Sequence, residues 1–340
     1  MFKELHNEVI GFPVNIKQEH KQYFEQCLQW QYYIPIVKDH FFSFLYLKGY
    51  GTSFLLQPIK NTEPWADFYQ YFNKSFFLGR IVAAVKKRKM KAVFTREYYY
   101  CTNEFSNNFF HWFAEVLPKM VYVKNHLKDD ARFFIPFPLS DYQLASLNLC
   151  NINFYETKSE ATFFYHLKVV ENFAGSTGYY HRELLNETAQ IIKNTFRYDE
   201  KKKRKIYVTR KNAVRRRILN EDELTRVLLQ WGFEIFDFDE ISYQQQVEIL
   251  VSTSVFVSQH GAALTNMIYM QPESTIFELL PKEVMSDKCF FILAGILRHR
   301  YYYLFCETDG PSHITADFLV NIDSFETILL KAISGHEIPD

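Results

Sequence analysis

Charge of neither sign is in excess in this chain. Lys plus Arg and Asp plus Glu both number 39 among 340 residues, a formal net charge of zero. No global field draws such a protein to nucleic acid or anionic lipid, so any anion site must be local. Cysteine is sparse: Cys27, Cys101, Cys150, Cys289 and Cys306 are scattered, odd in number and in no C-x-x-C pair. That argues against a disulfide framework and a zinc site, and for a reducing compartment. The segment MFKELHNEVIGFPVNIKQ has no long apolar stretch, and nothing elsewhere approaches about 18 uninterrupted apolar residues. The expectation is a cytoplasmic protein with no membrane span, peripheral contact with the inner face of a membrane being left open. H-E-x-x-H, G-x-S-x-G and G-x-x-x-x-G-K are also missing, so zinc-peptidase, serine-hydrolase and P-loop chemistries lack their starting residues.

What is present is material for a large core. Apolar residues make up 48% and aromatic residues 18%, with 34 Phe and 23 Tyr serving as core or as platforms for sugar stacking. A length of 340 residues favours two domains with a cleft between them. From Phe41 to Tyr100 the runs FFSFLYLKGY, TSFLLQPI and AVFTREYYY read as strands, and SFFLGRIVAAV is ambiguous. A helix follows from the capping candidates Asn107 and Asn108 to about Leu127, kinked or restarted at Pro118 because proline lacks the amide donor. ARFFIPF, DYQLASLNL and INFYE then alternate strand, helix, strand. After the helix HRELLNETAQIIKNTF and the solvated run KKKRK, the alternation restarts as five strands, KIYVT, FEIFDF, VFVSQ, TIFELL and YYYLF, separated by four helices. The fold class expected is α/β, two Rossmann-like domains facing a cleft. Their expected limits are 1–185 and 186–318, with a helical tail over 319–340, and ligands belong at the carboxyl ends of the second sheet's strands.

Three places concentrate chemistry. Strand KIYVT opens into a loop with Arg210, Lys211, Arg215, Arg216 and Arg217, then Asn220 and Glu221 at a helix start, where guanidinium forks suit phosphate oxygens; a solvated basic loop is the plainer reading. In VFVSQHGAALTN, Gly261 permits close approach of a ligand to backbone and the next helix begins with unbonded amides. His260 sits at that junction, and Asn266 bonds either ligand or loop. Glu278, late in the next strand, is placed to accept ribose hydroxyls or to form a salt bridge. In SNNFFHWFAEVLPKM, His111 and Glu115 stand four apart on one helix face, as a proton-handling pair or as a packing histidine beside a dipole-favoured carboxylate. Asp237-Phe238-Asp239 spells a D-x-D that reads as a turn, with a metal-dependent transferase as the competing reading.

NNFFHWFAEVLPKM, IYVTRKNAVRRRILNEDEL, and VSQHGAALTNMIYM with IFELLP, in that order between about Asn107 and Pro281, together resemble glycosyltransferase family 61. This family includes bacterial capsule-biosynthesis proteins and eukaryotic enzymes adding N-acetylglucosamine or pentoses. The resemblance implies a two-domain GT-B-like architecture, a nucleotide-sugar donor, by family habit a uridine diphosphate one, and a glycan or lipid-linked saccharide acceptor. It further implies inversion at the anomeric carbon, with no cofactor and no required metal. By position, Arg210, Arg216, His260 and Gly261 look like the diphosphate contacts, and His111 with Glu115 like the catalytic end. Arg217, Asn220, Asn266 and Glu278 complete the candidate donor site. Glu115 departs from the Asp that the family often has there. A non-catalytic nucleotide- or glycan-binding module is the reading from another class.

Overall fold

Strand β1 (Leu5–Val9) pairs antiparallel with β2 (Gln29–Tyr33). A second sheet contains β3 (Ile36–Lys48), β4 (Thr52–Leu56), β5 (Met90–Phe94), β6 (Tyr98–Tyr100), β7 (Arg132–Ile135), β8 (Asn153–Glu156) and β9 (Ala161–Glu171) in the order β4-β3-β9-β6-β7-β8, with β5 also on β9. A third contains β10 (Arg204–Thr209), β11 (Glu234–Asp237), β12 (Thr253–Gln259), β13 (Thr275–Pro281), β14 (Arg300–Thr308) and β15 (Phe318–Leu319) in the order β11-β10-β12-β13-β14-β15. This computed structural model describes residues 5–33, 35–48, 52–56, 90–94, 96–102, 105–156, 161–171, 180–197, 199, 202–282, 288–310 and 316–334. The ambiguous run SFFLGRIVAAV lies outside them. Among the described residues, no helix is long and apolar enough to cross a membrane and no disulfide forms.

Contacts divide the chain into Pro35–Phe173 and a unit that joins Met1–Ile34 to Ala174–Asp340. That division differs from the sequence expectation at both ends. Residues 1–34 group with the carboxyl-terminal unit because they supply groups its sheet needs. Val14 N donates to Tyr301 O at 2.9 Å, and Asn15 brackets the Tyr303 backbone, donating to its carbonyl at 2.7 Å and accepting from its amide at 3.2 Å. Phe24, fully buried, packs on Phe291 and Tyr303. Within the span expected as a helical tail, the helix Ile322–Ser334 buries Phe325, Leu329 and Ala332 in the same core as Phe277 and Tyr302.

In the unit 35–173, β6, β7 and β8 run parallel to one another and β6 runs parallel to β9, as the strand-helix-strand alternation predicts. β3 and β4 make it a mixed sheet, for β3 pairs antiparallel with both β4 and β9. The helix after β6 is continuous but changes gauge: Phe109–His111 and Leu117–Tyr122 are α-helical, Trp112–Val116 and Val123–Leu127 π-helical. Pro118 explains the first change. It has no amide to bond the carbonyl four residues back, and immediately before it the Leu117 amide reaches Trp112 O, one residue farther than an α-helix would. Asn108 caps this helix by accepting from Phe110 N at 2.9 Å.

In the carboxyl-terminal unit the first five strands of the third sheet are parallel, and β15 closes it antiparallel to β14. Taken in sequence their spatial order is 2-1-3-4-5, in which the direction of winding reverses between the first and third strands, β10 and β12. Helices Glu221–Gln230 and Ile322–Ser334 touch each other, while Tyr243–Leu250 and Cys289–Ile296 both contact the 3-10 helix Ala262–Tyr269. Side-chain alternation sorts the strands between these layers. Phe277, Leu279, Tyr302 and Leu304 enter the core shared with Phe325, leaving Glu278, Tyr301 and Tyr303 on the opposite face.

His299 precedes β14 and is buried, with Nε2 bonded to Met267 O at 3.1 Å. Burial pushes its pKa down to about 4, helped by Lys193 and opposed by the bond to Met267. The unfolded chain therefore binds a proton here that the folded chain refuses, and stability is full above the usual histidine value and falls as pH drops from about 6.5 towards 4. Urea unfolding of the wild type and of His299→Gln, which keeps a donor but cannot ionise, should show the wild type losing about 2 to 3 kcal/mol more across that window. Equal losses would assign the acid sensitivity to other groups.

Candidate functional site

The winding reverses between β10 and β12, and an open α/β sheet takes its ligand at the carboxyl ends of the strands at such a crevice. β10 ends at Thr209 and continues into Arg210; β12 ends at Gln259 and continues into His260 and Gly261. The two loops meet closely. A Cβ placed on Gly261 would lie 2.8 Å from Arg210 Nη1, so the missing side chain is what lets the guanidinium lie against this backbone. Burial lowers the Arg210 pKa from its usual value, Asp239 and Asp237 acting against the shift and Arg215 with it. Among the described residues no carboxylate stands within ion-pair distance of Arg210.

His260 is held from below. Its Nδ1 lies 2.6 Å from Glu278 Oε1, and Tyr301 OH donates to Glu278 Oε2 at 2.5 Å. Burial, then the Glu278 charge, pushes the Tyr301 phenol well above its ordinary range, so it remains a donor. An ionised Glu278 keeps a proton on His260 Nδ1 and fixes the ring, whose edge packs on Phe290 with centroids 5.3 Å apart. Glu278 is 1% exposed with both oxygens engaged, the salt-bridge arrangement of its two sequence readings, and it orients the histidine.

The basic loop separates by partner. Arg217 donates to Asp317 from its backbone at 2.8 Å and from Nε and Nη2 at 3.0 and 2.7 Å. Asn220 donates to Val320 O at 2.8 Å and accepts from Val320 N at 3.1 Å. Both were donor-site candidates, and both instead tie this loop to residues 317–320, a task for which each has the complementary donors. Arg216 has φ 56, an uncommon backbone for a side chain of its size, and its carbonyl accepts from Gln259 Nε2. Asn266 is buried, donating to Ala263 O at 3.2 Å, so it braces the loop after Gly261. Glu221, also buried, accepts from Tyr207 OH and Thr209 Oγ1, each at 2.6 Å, and so secures the end of β10 beneath Arg210. Asp237 takes part in a turn, accepting from Asp239 N at 3.0 Å and Asn212 Nδ2 at 3.1 Å.

In the other unit, β6 leads into the helix that carries His111 and Glu115. His111 Nδ1 and Glu115 Oε2 are 2.9 Å apart, with 13% and 8% side-chain exposure. The wider π turn brings residues four apart nearly above one another, and Phe105 stacks on the imidazole with centroids 5.0 Å apart. In the tautomer with its hydrogen on Nδ1, His111 donates to Glu115 and leaves Nε2 as an acceptor.

Sequence comparison adds the lineage. The family model for Glycosyltransferase 61 matches residues 109–277, from the turn that carries His111 to the residue before Glu278. This segment belongs to glycosyltransferase family 61. The EGF domain-specific O-linked N-acetylglucosamine transferase of Rattus norvegicus is 30% identical over 105 residues, 29% of this chain and 19% of that protein. Its Drosophila melanogaster counterpart is 29% identical over 105 residues, 30% of this chain and 20% of the relative. Protein O-linked-mannose beta-1,4-N-acetylglucosaminyltransferase 2 of Takifugu rubripes is 33% identical over 94 residues, 26% and 16% of the two lengths. The aligned part thus spans no more than a fifth of these relatives.

Partners of the family 61 segment that the sequence did not single out are Tyr301, Asp317 and Val320. For Tyr301 a signal existed, because Tyr301 and Tyr303 alternate onto the face of β14 beside Glu278, whose register partner is Tyr303. The Asn220 clamp gives the first test of this division between structural and ligand residues. Asn220→Ala should lower unfolding free energy by about 1 to 3 kcal/mol by leaving Val320 unpaired. Denaturant titration showing no loss would mean that the side chain is not structural.

Proposed function

We propose that this chain is an inverting glycosyltransferase that uses a nucleotide-sugar, with the donor diphosphate at the crevice between β10 and β12. The observation that carries this reading is Arg210 lying against Gly261 at the point where the winding reverses. A guanidinium and unencumbered backbone at the carboxyl edge of a parallel sheet suit phosphate oxygens. Arg216 and His260 stand in the same two loops and complete the proposed contacts. Membership of the segment in family 61, and relatives named as N-acetylglucosamine transferases, support sugar transfer to a glycan acceptor. By the same family habit we assign a uridine diphosphate donor, a GT-B-like pairing of the units, and a place at the cytoplasmic side of capsular or other cell-surface polysaccharide synthesis.

The chemistry is one displacement. The His111–Glu115 pair takes the proton of the acceptor hydroxyl, whose oxygen attacks the anomeric carbon as the bond to the diphosphate oxygen breaks. Charge gathering on that leaving oxygen is met by Arg210 and by the imidazole that Glu278 orients. The reading uses no metal, and the turn bonds that Asp237 makes support a structural role for D-x-D. Transfer that collapses on chelation and returns with a divalent ion would replace it with the metal-dependent alternative.

Two measurements test the two ends separately. Arg210→Ala should weaken uridine diphosphate binding by about 1.5 to 3 kcal/mol in calorimetry, whereas Arg217→Ala, which breaks the Asp317 pair, should leave affinity nearly unchanged. Equal losses would make the basic loop a diffuse electrostatic surface. At the proton-handling end, His111→Ala should reduce turnover by about 100-fold to 10,000-fold with donor affinity intact. Glu115→Gln should reduce it less, because an amide still orients the ring; normal turnover in both variants would place the base elsewhere.

A further inference from the structure

The amino-terminal edge of the third sheet, opposite the edge that holds Arg210, carries an open cavity of ≈ 650 Å³. Its walls have three guanidiniums, Arg182, Arg298 and Arg300, against one carboxylate, Glu273. His299 also lines it and adds no charge at neutral pH, since burial holds its pKa near 4. Arg182 is partly committed, donating from Nε to Ile296 O at 2.6 Å, and Arg300 donates from Nη2 to Thr275 Oγ1 at 2.8 Å. Among the described residues Arg298 and Arg300 have no carboxylate within ion-pair distance. Arg300 Nε is moreover buried without a hydrogen-bond partner there. A chain with no net charge has thus gathered an uncompensated pair of positive charges in one concave place.

Five apolar side chains share the lining. Ile10 and Phe291 are buried at the base, Ile10 pressed so close to Gly295 that a Cβ there would come within 2.8 Å of it. Val9, Phe12 and Val14 stand at the rim and are 79%, 37% and 41% exposed. Guanidiniums recognise the oxygens of a phosphate through paired donors, and apolar side chains left in solvent beside them gain by covering a hydrocarbon.

We infer that this cavity is a second binding site, separate from the donor crevice, for a phosphate ester whose remaining body is apolar, held by Arg298 and Arg300 and covered by Phe12 and Val14. The chemistry is shared by the headgroup of an anionic lipid and by a soluble alkyl phosphate.

Calorimetry with hexyl phosphate on the full chain, with the donor crevice saturated by uridine diphosphate, tests it. Binding is expected, with inorganic phosphate weaker. Arg298→Glu should reduce hexyl phosphate affinity by roughly tenfold or more. Phe12→Ser, a change at an exposed rim position, should weaken hexyl phosphate but leave inorganic phosphate unchanged. Co-sedimentation with phosphatidylcholine vesicles that contain phosphatidic acid, but not with phosphatidylcholine alone, assigns the site to a lipid headgroup. Hexyl phosphate binding without vesicle binding assigns it to a soluble ester. No hexyl phosphate binding, or binding that Arg298→Glu and Phe12→Ser leave intact, or binding abolished by Arg210→Ala instead, overturns the inference.

Discussion

Arg210 can lie where it does only because position 261 has no side chain, and much of the carboxyl-terminal unit is arranged to hold that apposition. A Cβ on Gly261 would stand 2.8 Å from Nη1, closer than real Cβ contacts allow. The end of β10 is secured by Glu221 through Tyr207 and Thr209, and the loop after β12 by Gln259 on Arg216 O and by Asn266 on Ala263 O. Glu221 and Gln259 join segments that a parallel sheet brings together at its carboxyl edge, and Asn266 braces its own turn. The crevice is therefore preorganised: its donors are positioned by bonds that do not involve a ligand.

The two arginines on either side of this arrangement show how environment divides one basic run into different tasks. Arg217 meets Asp317 through three hydrogen bonds, and its charge is neutralised within the fold. Arg210 has Asp237 and Asp239 near enough to oppose the effect of burial on its pKa but not near enough to pair. A half-buried guanidinium without an ion-pair partner is stabilised by an arriving anion, whereas one already paired would have to give up its carboxylate first. Both carry the same charge in one basic run; burial and the distance to a carboxylate distinguish them.

That distinction marks the limit of what the sequence could show. Alternation of apolar runs with helical spacing located all five parallel strands of the third sheet, and the helix Asp141–Leu149 begins and ends where DYQLASLNL does. Local signals also identified His111 with Glu115 and Gly261 as places of interest. The partners that decide their roles come from far along the chain: Asp317 and Val320 are each 100 residues from the side chains they engage. Pattern within a window says nothing about such pairs. The same reason hid the attachment of residues 1–34 to β14, made through Asn15 and Tyr303 across 288 residues. For Glu278 the sequence leaves a ribose contact and a salt bridge both open; a strand buried on both faces leaves its polar residue no solvent, and the carboxylate finds donors inside.

The need to satisfy that buried carboxylate also bears on catalysis. Removing either donor to Glu278 would leave a charge with incomplete hydrogen bonding at 1% exposure, which is costly in a low-dielectric interior. Burial holds the Tyr301 pKa well above its ordinary value, so it remains a donor to Glu278 at any physiological pH. With one oxygen on Tyr301 and the other 2.6 Å from His260 Nδ1, Glu278 holds the imidazole in one orientation. An imidazole so held has a fixed direction, which serves the stabilisation of the proposed leaving group. The tyrosine thus serves the proposed reaction from β14 by keeping the orienting glutamate still, and the proposed chemistry at the sheet's carboxyl edge depends on packing set two strands away.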